Sequence, residues 1–227
     1  MEIKKWITIF LPFIFNIWSF IAAQQLSVDI LPLGGQLPSN SVQRIFQDRE
    51  GFMWFGTREG LSRYDGYRVL TFRSGKTTPN LLTDNQITSI TDSWERVLIG
   101  TKKGLNILNK KTYEIYHVDN EELKDQEIRS ILFDSKGYIW VGTYIALYRC
   151  SSDFFSCKRY DNSLPITSVN SIYEDADNNI WVTFWRKGIF RYDRVKDTFV
   201  KYPAVGKENN PFCVFQDDKK QHWIGTW

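Results

Sequence analysis

One ten-residue motif occurs five times along this chain, in full or diverged form, at a nearly constant step, and that periodicity constrains the fold more than any other feature. DREGFMWFGT at 48–57 returns as DSKGYIWVGT at 134–143 and as DDKKQHWIGT at 217–226. Two diverged copies fill the gaps: DSWERVLIGT at 92–101, with Leu98 in the Trp place, and DADNNIWVT at 175–183, with Thr183 in the Gly place. The leading residues Asp48, Asp92, Asp134, Asp175 and Asp217 are separated by 44, 42, 41 and 42 positions.

Each copy has the same surroundings. Upstream stand Leu37, Val42 and Ile45, then Leu82, Ile87 and Ile90, Leu123, Ile128 and Ile131, and Leu164, Val169 and Ile172. Downstream comes Gly-Leu-x-Arg-Tyr-Asp at Gly60–Asp65, with relatives at 104–109, 146–151 and 188–193. Aromatic runs close the units at Phe72, Tyr116, Tyr160 and Tyr202. In the first unit the apolar or alternating runs are about 42–46, 52–57, 61–64 and 68–72. Runs this short, rich in Trp, Val, Ile, Tyr and Phe, predict strands. The Asp-x-x-Gly segment suits the first hairpin turn, because Asp can bond nearby amides and Gly accepts positive φ.

Four antiparallel strands every forty-odd residues is the unit of a β-propeller. A β-sandwich has no reason to repeat its sequence at a fixed step. The expected fold is therefore all-β, a β-propeller of four-stranded antiparallel blades, with four full blades and the start of a fifth. The repeats run over about 37–72, 82–116, 123–160, 164–202 and 206–227. The ring of Trp54, Trp140, Trp181 or Trp223 is expected to fill the space between adjacent blades, a packing role in which Leu98 can substitute.

Residues 1–23 read as an export signal. Lys4 and Lys5 precede an apolar stretch from Trp6 to Ile21, and Ala22 and Ala23 follow it. The segment is either cleaved after Ala23 or kept as an anchor, and in both cases the 24–227 partial propeller lies outside the cytoplasm. The net charge is +3 with no basic stripe, which argues against nucleic acid as a partner.

Strand order assigns loops to faces. With strands a to d in each blade, the b–c turns and d–a connections share one end. The b–c turns hold Arg58 and Glu59, Lys102 and Lys103, Tyr144 and Ile145, and Trp185 and Arg186. The d–a connections hold Ser39-Asn40, Asp84-Asn85, Gln126-Glu127 and Thr167-Ser168. The ligand-binding candidates are Arg58, Glu59, Lys102, Lys103, Asn85, Tyr144, Trp185 and Arg186. Rings that stack on sugar faces, beside amides and charges that bond hydroxyls, suit an oligosaccharide; a solvated loop set has the same composition. No catalytic or metal constellation is expected, and no cofactor. His117 and His222 are unlike in context, and the repeated Asp residues share one environment, whereas a catalytic acid pair needs two.

Alignment of the units places Cys150 and Cys157 opposite each other across the third c–d turn. A disulfide is expected there, with two reduced, packed thiols as the alternative. Cys213 aligns with Ser130 and Ser171 on an inner strand and is expected to be a buried free thiol. Residues 26–31 are expected to form an outer strand that completes the last blade. The strand from His222 to Trp227 is expected to be an open apolar edge that promotes self-association.

The string from Leu37 through Asp48-x-x-Gly-x-x-Trp-Phe-Gly-Thr to Asp65-Gly-Tyr67 resembles a two-component regulator propeller repeat. It is similar to the start of the extracellular part of hybrid two-component sensors found in Bacteroidetes. The resemblance implies a periplasmic ligand-sensing role, with a glycan or oligosaccharide as the class of ligand. It also implies further blades and downstream modules: a second propeller, an immunoglobulin-like module, a membrane helix, a histidine kinase, a receiver and a DNA-binding domain. A homodimer is expected for such a receptor. Because Trp227 falls inside a blade, the chain is expected to be a fragment. It is not expected to be an enzyme itself; the alternatives are a secreted propeller glycoside hydrolase and a protein-interaction propeller.

Overall fold

A computed structural model describes residues 31, 33, 35–75, 81–203 and 210–227, and the fold occupies Leu33–Trp227. The expected export signal and residues 26–30 of the expected outer strand lie outside the described residues. The first blade contains β1 (Val42–Gln47), β2 (Met53–Thr57), β3 (Leu61–Tyr64) and β4 (Val69–Phe72). The second contains β5 (Ile87–Ser93), β6 (Arg96–Thr101), β7 (Gly104–Asn109) and β8 (Ile115–His117). The third contains β9 (Ile128–Phe133), β10 (Ile139–Thr143), β11 (Leu147–Cys150) and β12 (Cys157–Arg159). The fourth contains β13 (Val169–Glu174), β14 (Ile180–Phe184), β15 (Gly188–Asp193) and β16 (Thr198–Lys201). β17 (Pro211–Gln216) and β18 (His222–Thr226) begin a fifth.

Within each sheet the strands are antiparallel and stand in sequence order. The first strand of each blade touches the first strand of the next, from β1 to β5, β9, β13 and β17. Blades therefore succeed one another around an axis with strand a innermost, as in a propeller.

The motif Asp builds the first turn and anchors the Trp. Asp48 Oδ1 accepts the amides of Glu50 and Phe52, each at 3.0 Å, and Oδ2 accepts Trp54 Nε1 at 2.8 Å. Asp134 does the same for Trp140, and Asp175 for Trp181, both at 2.8 Å. The indole so fixed is buried: Trp54, Trp140 and Trp181 are 1%, 0% and 6% exposed. In the second blade Leu98 has no N–H to offer its Asp. Lys110 takes over, its Nζ 3.0 Å from Asp92 Oδ1 with both side chains buried, so the carboxylate keeps a partner.

The motif Gly is set by the next blade. A Cβ on Gly56 or Gly100 would lie 2.7 Å from Cγ2 of Ile87 or Ile128. On Gly142 it would lie 2.5 Å from Val169 Cγ1. In the fourth blade Thr183 fills this place, and there the facing strand opens with Pro211 rather than a β-branched residue. Thr183 Oγ1 meets the Ser171 amide at 3.0 Å and hydroxyl at 2.9 Å. The departure from the motif is thus a local pairing.

The fifth blade differs in burial. Phe212, Phe215, Trp223 and Trp227 are 42%, 57%, 61% and 79% exposed, although Trp223 Nε1 still bonds Asp217 at 2.9 Å. Cys213, expected to be buried, is free and exposed. Its counterparts Ser89, buried, and Ser130, half-buried, meet the following blade, where their hydroxyls accept the amides of Ile131 and Ile172 at 3.0 and 3.1 Å. Nothing among the described residues packs on Cys213 in that way.

Cys150 and Cys157 are register partners in β11 and β12 and are joined by a disulfide. Denatured, unreduced protein should show one free thiol among the three cysteines. Replacing both Cys150 and Cys157 with Ser should lower stability by about 1–3 kcal/mol on chain-entropy grounds.

A polar cluster ties the third blade to the fourth. Asp197 accepts Arg149 at 3.0 Å and the Tyr160 hydroxyl at 2.7 Å, and it also receives Lys158 and the Tyr192 hydroxyl. Desolvation alone would raise the Asp197 pKa. The Lys158, Tyr192 and Tyr160 hydrogen bonds and the Arg149 charge outweigh it and hold the carboxyl well below the usual range. A depressed folded-state pKa stabilises above the unfolded pKa, near 4, and that contribution is lost as pH falls through the folded value. Asp197 is 39% exposed, so solvent screening limits the gain. Asp197→Asn should cost about 1 kcal/mol at pH 7, and the deficit should shrink below about pH 4. Urea midpoints measured at both pH values would show it; a deficit unchanged by acid would contradict the charge account.

Candidate functional site

The b–c turns are shaped by the Thr that ends the motif. Thr57 Oγ1 bonds the Gly60 carbonyl at 2.9 Å, Thr101 that of Gly104 at 2.9 Å, and Thr143 that of Ala146 at 3.1 Å. These closures leave the two intervening side chains outside the turn. The fourth blade has Phe184 in the Thr place and one extra residue before Gly188. Its turn is held instead by the Trp185 amide, which donates to the Ser168 carbonyl at 2.9 Å, with Arg186 in left-handed backbone at φ 56°. That bond brings Trp185 against the d–a connection.

Between the third and fourth blades these loops enclose a cleft of about 340 Å³, a volume suited to a small ligand. Tyr144 and Ile145 come from one b–c turn and Trp185 from the next. Ile166, Thr167 and Ser168 come from the d–a connection, and Arg129 and Asn170 from β9 and β13. Tyr144 is 60% exposed. Ser168 and Asn170 are buried, yet Ser168 Oγ and Asn170 Oδ1 have no hydrogen-bond partner. The Asn170 amide is oriented because Nδ2 donates to the Pro211 carbonyl at 3.0 Å. Buried oxygens without partners carry a desolvation cost that a ligand in the cleft can relieve.

The remaining sequence candidates are placed elsewhere on this end. Arg186 lies 5.6 Å from the Trp185 ring centre and caps that ring. Lys103 lines a separate hollow of about 300 Å³ with Thr83, His117, Asp119, Lys124 and Asp125. Lys102, Arg58 and Glu59 are exposed and line neither space. Asn85 has a structural partner, since its Oδ1 accepts the Ser74 amide at 2.7 Å.

Loop reasoning missed Arg129 and Asn170, which belong to strands. Each follows the first residue of its inner strand, where the ladder with strand b is bulged. A bulge turns one side chain out of the alternation. The signal was present in the aligned residues Gln43, Thr88, Arg129 and Asn170, polar positions immediately after a β-branched one.

The two-component regulator propeller family matches residues 36–59, 122–144 and 163–186. Those segments run from the d–a connection to the b–c turn of the first, third and fourth blades. Three of the chain's blades thus match two-component regulator propeller repeats. The histidine kinase P4 of Formosa agariphila is 33% identical over 180 residues, covering 68% of this chain and 12% of the kinase. The extracellular domain of a one component system from B. thetaiotaomicron superposes with a TM-score of 0.69 at 25% identity, covering 82% of this chain and 25% of that one. That of a hybrid two component system from the same organism gives 0.74 at 23% identity, covering 87% and 29%, which shows the shared fold. This propeller therefore spans a small part of each relative. It is similar to sensor-region propellers of two-component signalling systems.

Proposed function

We propose that this propeller is the ligand-receiving part of an exported two-component receptor, and that it receives an oligosaccharide in the cleft between the third and fourth blades. The observation that carries this reading is the composition of the cleft. Tyr144 and Trp185 offer ring faces for the apolar faces of pyranose rings. Ser168 Oγ and Asn170 Oδ1 are a hydroxyl and an acceptor that lack partners, as sugar hydroxyls require.

Export is supported by the basic and apolar segment at residues 1–23 and by relatives described as extracellular domains. The exposed apolar face of the fifth blade supports packing against further blades of a longer receptor. Glycan-array binding by the full chain tests the reading. Tyr144→Ala and Trp185→Ala should each weaken the best binder by about tenfold, the scale of a lost stacking contact. Replacing Cys150 and Cys157 with Ser should leave it unchanged, because the c–d turns lie at the opposite end of the blades. Binding that survives the loss of both rings would overturn the proposal.

A further inference from the structure

The charges around the cleft are unbalanced. Arg129 lines it, and its Nη1 pairs with Glu127 at 3.0 Å. A guanidinium has five N–H donors; Arg129 Nε and Nη2 have no partner among the described residues. Arg44, on the inner strand of the first blade, donates to the Gln43 carbonyl at 2.8 Å and pairs with no carboxylate among the described residues. Burial, and then the like charge of Arg129, lower the Arg44 pKa, so the two guanidiniums repel each other across the inner strands. Arg186, beside Trp185, is also without an ion pair among the described residues. Of these guanidiniums Arg129 lines the cleft, with one edge of its fork unpaired, and a positive group so placed favours an anion.

We propose that the oligosaccharide taken by this cleft is acidic, with a carboxylate or sulfate seated on the free edge of Arg129 and neighbouring hydroxyls bonded to Ser168 Oγ and Asn170 Oδ1. This rests on the glycan reading of the same cleft. A uronate or a sulfated sugar supplies the required set in one residue: an anionic group for the guanidinium, hydroxyl donors for Asn170 Oδ1, and acceptors for the Ser168 hydroxyl. Guanidinium geometry matches both anions, because paired N–H groups can bond two oxygens at once. A neutral sugar would satisfy the two orphan oxygens but leave the free edge of Arg129 without an anion.

Surface plasmon resonance on the immobilised full chain distinguishes these cases. The probes are oligogalacturonates and their fully methyl-esterified forms, and sulfated galactan oligomers and their desulfated forms. An acidic probe is expected to bind at least about tenfold more tightly than its neutral counterpart, with the advantage shrinking as salt screens the contact. The acidic pair that shows it identifies carboxylate or sulfate. Arg129→Gln should weaken the acidic probe at least about fivefold more than its neutral counterpart, removing the advantage, and Arg129→Lys should keep part of it. If acidic and neutral probes bind equally and Tyr144→Ala weakens both, the acidic proposal fails and the glycan reading stands. If no probe of either charge binds, both fail.

Discussion

Trp140→Ala is expected to lower the free energy of unfolding by about 3–5 kcal/mol, whereas Trp223→Ala should change it by less than about 0.5 kcal/mol. Both residues occupy the same place in the repeat, and both donate Nε1 to the motif Asp, at 2.8 and 2.9 Å. The difference is what lies on the other side of the ring. Trp140 is fully buried, stacked on Tyr160 at 5.8 Å and met edge-on by Tyr192 at 5.0 Å and Phe199 at 5.8 Å. Truncation leaves a ring-sized cavity between two blades and removes the N–H partner of the buried Asp134. Trp223 is 61% exposed, so truncation there leaves no cavity. A typical domain is stable by only about 5–15 kcal/mol, so the first variant should lie near its unfolding limit. Urea titrations of the two variants supply the test. Equal losses would mean that the indole stabilises the blade through its Asp bond and not through packing between blades.

Gly142→Thr should cost about 2 kcal/mol or more, because its Cβ would lie within 2.5 Å of Val169 Cγ1 and 2.7 Å of Val169 Cβ. The fourth blade carries Thr at this place facing Pro211, which suggests the compensating change. Val169→Pro puts the same pair between the third and fourth blades, at a strand's first residue, where Pro is tolerated. The double variant should recover at least about 1 kcal/mol relative to the sum of the single changes. Strict additivity in a double-mutant cycle would show that the two positions do not contact each other as the fold requires.

Much of this architecture is legible in the chain. The Asp spacing predicts the blades, and the first-blade runs agree with β1 to β4 to within a residue at each end. Alignment of the units puts Cys150 and Cys157 opposite each other, where the disulfide stands. Such inferences succeed because they are local: a hairpin turn, an alternating strand and an aligned repeat are each specified within about forty residues.

Other features follow from packing between blades and are not local. Cys213 has the sequence position of a buried residue and is exposed, because its burial depends on a neighbouring blade. Thr183 looks like motif decay until its hydroxyl is seen to pair with Ser171 and to reach the next blade's inner strand. The cleft draws Tyr144 and Trp185 from the same place in two successive blades, and adds Ser168 and Asn170 from a connection and an inner strand that the repeat alignment does not bring to them. The sequence by itself determined the blade, its turn chemistry and which loops share an end. Only the tertiary structure decided which side chains converge and which polar atoms are left without partners, because both depend on how one sheet lies against the next.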